Sequence, residues 1–167
     1  SCIPLSSDWG WTPQAKFKPA DEVIKLLIEV VAKGGNLLLG IGPTPEGIIQ
    51  PEVVARLKEI GEWLDVNGKA VYRTRITPVY KSGNVWFTAD KDGETLYAFY
   101  VPSETGKANP LYIEWEDNIP RKGSPMVCLK TGQKVRWKQE NNTVRVYLPK
   151  GVSKKNEILV FSFKKQS

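Results

Sequence analysis

The chain has 167 residues and not one histidine. That absence removes Ser-His and Cys-His nucleophilic catalysis and the commonest metal ligand. Cysteine is nearly as scarce, with only Cys2 and Cys128. Two lone thiols cannot close a zinc site without other ligands. A disulfide joining them is conceivable, but the two are expected to stay apart. No apolar run approaches the roughly 18 residues of a membrane span, so the chain reads as soluble, with no membrane partner. The opening "SCIPLSSDWGW" has neither the basic start nor the apolar stretch of a signal peptide.

Charge of one sign is not lacking, but it is not gathered either. Lys and Arg total 24 against 18 Asp and Glu, giving a net +6 and a pI near 9.3. A nucleic-acid surface requires clustered charge. Here doublets occur only at Lys154-Lys155 and Lys164-Lys165. A solvated basic surface is expected, with no nucleic-acid partner. Hydrophobic residues make up 41% and charged residues 25%, which is enough apolar material for a buried core.

What is present falls into two textures. Residues 20–33, "ADEVIKLLIEVVAK", place Val23, Leu27, Val30 and Val31 on one helical stripe, widened by Ile24 and Ile28. Asp21 and Glu22 suit the first turn, and Gly34-Gly35 end the helix. "NLLLGIG" then reads as a short strand buried on both faces. The "GPTPEG" loop follows, and Pro51 is placed to start a second helix carrying Val53, Val54, Leu57, Ile60 and Leu64. From about residue 70 the pattern becomes strands: "AVYRTRI", "NVWFTA", "TLYAFYV", "LYIEW", "PMVCL", "KVRWKQ", "TVRVYL" and "ILVFSF". Asp92-Gly93 and Asn141-Asn142 supply hairpin turns. Roughly eight strands at this spacing predict an antiparallel sandwich.

The first texture is incomplete on its own. A strand buried on both faces needs neighbours at both edges, and the loop-like opening is not expected to supply one. The expected fold is therefore an α/β remnant over residues 1–68, followed by an all-β antiparallel sandwich over 69–167, with the boundary at Asn67-Gly68.

"GGNLLLGIGPTPEG", followed by "LKEIGEWLDVNGKAVY", resembles the end of the catalytic barrel in family 29 α-L-fucosidases. "SSDWGW" resembles that family's S-W-G-Y segment, "KPADEVIKLLIEVVAKGG" its following helix, and "TLYAFYV" and "VRVYLPKG" its C-terminal sandwich. The resemblance implies that residues 1–68 are the last β/α elements of a (β/α)8 barrel and that "GPTPEG" leaves its eighth strand at the active-site face. It implies a retaining hydrolase releasing terminal α-L-fucose, without cofactor or metal. The aspartate nucleophile and glutamate acid/base would lie upstream of Ser1, so no residue here is assigned a catalytic role and the chain alone is expected to be inactive. Expected partners are a fucosylated glycan, and the upstream barrel segment or another copy of the chain. The resemblance further implies a secreted, periplasmic or lysosomal location.

Trp9 and Trp11 are the candidate sugar-stacking residues, because the family's S-W-G-Y segment lies near the pocket. Asp8 is a candidate acceptor for a sugar hydroxyl, although an Asp before a turn also serves as a local cap. Gly40 departs from the asparagine usual in the family. Glu46 reads as a solvated turn residue. A phosphate cradle in "GPTPEG" is disfavoured because no Lys-Ser/Thr follows the glycines. Glu114 and Glu116 flank Trp115 on one strand face and read as a surface pair. Trp86, Trp115 and Trp137 are expected in the core; an exposed row of them would instead suggest a carbohydrate-binding face. The alternative to the hydrolase is a non-catalytic carbohydrate-binding or structural sandwich module. Asn141-Asn142-Thr143 fits the glycosylation sequon.

Overall fold

The computed structural model describes residues 1–103, 110–148, 152 and 157–166. The Lys154-Lys155 doublet and the Pro149–Gly151 end of "VRVYLPKG" lie outside the described residues.

Two helices form as the apolar periodicity predicts. α1, Ala20–Ala32, buries Ala20, Val23, Ile24, Ile28 and Ala32, and Gly34 ends it with φ +83°. α2, Pro51–Asn67, starts with proline in its first turn, where a missing N–H costs nothing. Its apolar stripe is wider than its buried one. Val53 and Ile60 are buried, whereas Val54 and Leu57 remain exposed.

The opening is not loop throughout. Cys2–Pro4 forms β1 and pairs in parallel with β2, Leu38–Gly40, in the register Cys2–Leu38, Ile3–Leu39 and Pro4–Gly40. Composition hid this strand, since it is three residues long and ends in proline. Pro4 is tolerated because the next amide, Leu5, makes the bond to the Gly40 carbonyl at 2.8 Å. The two strands are a complete sheet among the described residues. Each therefore keeps one unpaired edge. β2 is not buried on both faces as its apolar run predicted, and Leu38 is 67% exposed.

The second texture folds into one eight-stranded sheet, ordered β3-β4-β5-β10-β7-β8-β9-β6. The strands are Lys81–Ser82, Val85–Ala89, Thr95–Tyr100, Tyr112–Glu116, Met126–Cys128, Lys134–Glu140, Thr143–Tyr147 and Leu159–Lys164, numbered β3 to β10 in chain order. All its pairings are antiparallel. β8 serves both halves: Lys134 and Val135 pair with β7, and Arg136 to Glu140 pair with β9. The sheet thereby doubles back, and its two ends nearly meet. There the Glu116 amide on β6 donates to Ser82 Oγ on β3 at 2.9 Å.

Alternation decides what faces inward. On β5, Leu96, Ala98 and Tyr100 enter the core between the two halves, while Tyr97 and Phe99 point to the helices. Trp115 is buried at the centre, edge-on to Phe87 at 5.7 Å and stacked on Phe163 at 5.8 Å. Trp137 packs against the same core, and Trp86 packs on the helix side. They form no exposed row. Glu114 and Glu116 point outward as expected, with Glu114 bonded to Arg145.

"AVYRTRI" is not a strand. It follows a 3-10 turn at Gly68–Ala70 as an irregular passage with Arg73 at φ +58°, and pairs with the sheet backbone through the Arg75–Ala89 bridge. Its alternating apolar residues gave a period-2 signal, but no neighbouring strand continues beside it.

The helices share a second core with the outer face of β5 and β10. Val23, Ile24, Ile28, Val53 and Ile60 meet Tyr97, Phe99 and Val160 there. Buried Thr88 adds a hydrogen bond from Oγ1 to the Ala70 carbonyl at 2.8 Å. Cys2 is exposed and Cys128 buried, both as free thiols. No helix among the described residues is long and apolar enough to cross a membrane.

Candidate functional site

The chain leaves β1 at Pro4 and runs into a loop that returns at residues 16–18. Its base is tied by backbone bonds from Ser7 N to Lys16 O (3.0 Å) and from Lys18 N to Leu5 O (2.8 Å). Lys18 Nζ adds bonds to the carbonyls of Pro4 and Ser6 at 3.1 and 3.2 Å. The ammonium thus fills acceptors that would otherwise point into the loop's neck. Beyond this neck stand Asp8, Trp9, Gly10 and Trp11. Trp9 is 64% exposed and Trp11 36% exposed. Indoles this open are unusual, since large aromatics normally contribute their area to a core.

β2 leaves its C-terminal end into the "GPTPEG" loop, which is internally bonded. Gly47 N donates to Thr44 O at 2.8 Å, Thr44 N to Ile48 O at 2.9 Å, and Ile48 N to Thr44 Oγ1 at 3.2 Å. Gly47 adopts φ +80°, which a side chain would strain. The Thr44 hydroxyl and Glu46's own amide hold the Glu46 carboxyl below its ordinary value. Glu46 is therefore ionised and exposed at neutral pH, as a turn residue rather than a proton donor.

The two loops emerge from the same end of the parallel pair and touch. Trp9 lies over Gly40: a Cβ built there would sit 3.7 Å from Cε3 and Cζ3 of its ring. Gly42 lies against the backbone of Gly10 and Trp11. Trp9 and Trp11 are thus brought together with the strand end that the sequence pointed to. Asp8 belongs to the same loop, but its carboxylate Oδ2 accepts the Ser7 hydroxyl at 2.9 Å, and its carbonyl accepts the Ser6 hydroxyl at 2.6 Å. It is partly used in holding its own turn.

This end offers aromatic faces, indole donors and the carboxylates of Asp8 and Glu46. Such a surface can hold a ring with apolar C–H faces and polar edges. Among the described residues no cluster of three or more His, Cys, Asp or Glu could hold a metal ion. A cavity of about 220 Å³ opens at the other end of β2, between Gly34, Asn36, Arg73 and Arg75. None of Asp8, Trp9 and Trp11 lines it.

The sequence model described as alpha-L-fucosidase matches residues 1–69. Human plasma alpha-L-fucosidase is 32% identical over 160 residues, an alignment covering 89% of this chain. The chain is similar to α-L-fucosidases, over residues 1–69 by the family model and over most of its own length by alignment. It spans about a third of the length of the curated relatives it matches first, 33% of the human plasma protein. Among solved structures, the fold resembles α-L-fucosidase isoenzyme 1 from Paenibacillus thiaminolyticus, with a TM-score of 0.83 and 24% identity, covering 99% of this chain and 39% of that one. The Thermotoga maritima α-fucosidase in complex with fucose gives 0.80 at 22% identity, covering 97% and 38%. At these identities the structures speak for the fold. Gly42 is the residue at this end that sequence reading did not single out. Its one signal was the glycine within "LLLGIGP".

Proposed function

We propose that this chain is the C-terminal part of a retaining α-L-fucosidase that releases terminal α-L-fucose from glycans. Residues 1–68 would be the last β/α elements of a (β/α)8 barrel, and residues 69–167 a C-terminal sandwich. The observation that carries the reading is the parallel β1–β2 pair, bare at both outer edges among the described residues, with two exposed indoles at the C-terminal ends of its strands. Active sites of such barrels lie at that end. The uncovered apolar side chains Leu38, Ile48, Ile49, Val54 and Leu57 flank the pair or its helix. They suit the flank of a barrel whose remaining strands and helices are provided by an upstream segment or, less economically, by another copy.

In this reading the chemistry is double displacement. One upstream carboxylate attacks the anomeric carbon while the other protonates the departing oxygen. This chain contributes binding. Trp9 and Trp11 stack on the apolar face of the fucose ring, and Asp8 accepts a hydroxyl. A sandwich binding glycans by itself has less support, because Trp115 is buried and Trp137 is packed against the core.

The test is release of chromophore from an aryl α-L-fucoside. The 167-residue chain should show none, and a polypeptide extended upstream through the barrel should turn over. Activity from the short chain, or none from the extended one, overturns the proposal.

A further inference from the structure

We propose that Gly42 is a positioning residue for the Trp9–Trp11 loop: its missing side chain is the space in which the backbone of that loop rests. This rests on the reading of the loop as a sugar-contacting surface.

A Cβ built on Gly42 would lie 2.8 Å from the Gly10 carbonyl carbon, 2.9 Å from Trp11 N and 3.0 Å from Gly10 O. These are backbone atoms, so no rotamer change relieves the overlap. The loop itself must move. Neighbouring glycines differ. A Cβ on Gly40 would meet Ile3 O at 3.6 Å and the Trp9 ring at 3.7 Å, which is ordinary contact. Cβ atoms on Gly10 or Gly47 would meet nothing within 4 Å. Nor does Gly42 have a positive φ, unlike Gly47. Its requirement is spatial, not conformational.

The loop's neck is already fixed by the Ser7–Lys16 and Lys18–Leu5 bonds. Its far end rests on Gly42. Two supports of different kinds, hydrogen bonds at the neck and close backbone packing beyond it, define where the indoles stand relative to β2. A stacking surface works only at van der Waals distance from the ring it receives, so a displacement near 1 Å weakens it. The Gly40 position acts on the same surface by a second route, through the Trp9 ring rather than the backbone.

The experiment uses the polypeptide extended through the barrel and an aryl α-L-fucoside. Gly42→Ala should raise KM about tenfold with little change in kcat, the pattern of lost binding rather than lost chemistry. It should also speed amide hydrogen exchange at residues 9–11. Added to Trp9→Ala/Trp11→Ala, it should raise KM no further, because it acts through those side chains. Unchanged exchange at residues 9–11, or an additive effect in the triple variant, overturns the proposal. Faster exchange with unchanged KM instead overturns the sugar-contact reading and leaves the packing role standing. Should Gly42→Ala fail to fold, Gly40→Leu gives the second reading: its Cβ is tolerated while its branch displaces the Trp9 ring. It too should raise KM, and an unchanged KM there counts against the placement of Trp9 by β2.

Discussion

Asp90 illustrates how much a single carboxylate can hold. It sits at the β4–β5 turn and accepts the Thr95 amide through Oδ1 at 3.1 Å. Partial burial opposes its ionisation, but the Thr95 amide and hydroxyl, the Glu94 amide and the Lys164 charge outweigh that, and its pKa falls below the ordinary 3.8. A lowered folded pKa means stabilisation fully present above the unfolded value and lost as pH drops through the folded one. Asp90→Asn should therefore cost on the order of 1 kcal/mol in denaturant titrations at pH 7. The gap to the parent protein should narrow below pH 4. Trp9 gives the complementary residue-scale expectation. In the extended enzyme Trp9→Ala should weaken fucose binding more than Trp137→Ala, whose indole packs against the core. Equal KM changes would show that neither ring touches sugar. Trp9 and Trp11 are candidates from sequence only through the resemblance of "SSDWGW" to the family's S-W-G-Y segment. The packing of Gly42 on Gly10 could not be read there, since residues 32 apart in sequence meet only through the register of β1 on β2.

Elements with strong periodicity were legible, and short ones were not. α1 and α2 follow the 3.6-residue pattern closely. β1, with three residues, and β3, with two, are too brief for any period to register. "AVYRTRI" shows the converse failure, in which alternation without a partner strand makes only a turn. α2 also carries an unexplained glycine. A Cβ on Gly61 would meet nothing within 4 Å among the described residues, yet glycine in a helix interior is unfavourable by about 1 kcal/mol against alanine. Exposed Leu57 lies one turn before it and Val54 two turns before. Gly61→Ala should therefore raise the thermal midpoint of the 167-residue chain. If an upstream helix packs into that notch, the gain should shrink or reverse in the extended polypeptide. An equal gain in both would argue that nothing covers this helix face.

At the scale of the whole molecule, apolar packing runs across the Asn67-Gly68 stretch. The helices bury Val23, Ile24 and Ile28 against Phe99 and Val160 of the sheet. Stability is then shared between the two textures. Phe99, fully buried, sits at their junction. Phe99→Ala should remove about 3–5 kcal/mol. Helical circular dichroism and near-ultraviolet signals should still fall together in urea, as expected of one cooperative unit. Separate transitions would mean that the helical layer unfolds on its own. Composition could predict two textures, but not that they would lean on one another, because the outer faces of β5 and β10 looked no different from any buried strand.

The near-closure of the large sheet has a mechanical side. Every other junction between its strands is a ladder of main-chain bonds, whereas β3 and β6 are joined across their gap by the Ser82 hydroxyl on the Glu116 amide, with Asn118 Nδ2 reaching the Val79 carbonyl nearby at 2.7 Å. Such a cuff has a seam. Opening it would break a side-chain fastening and no ladder of main-chain bonds, which makes it the least reinforced junction of the sheet.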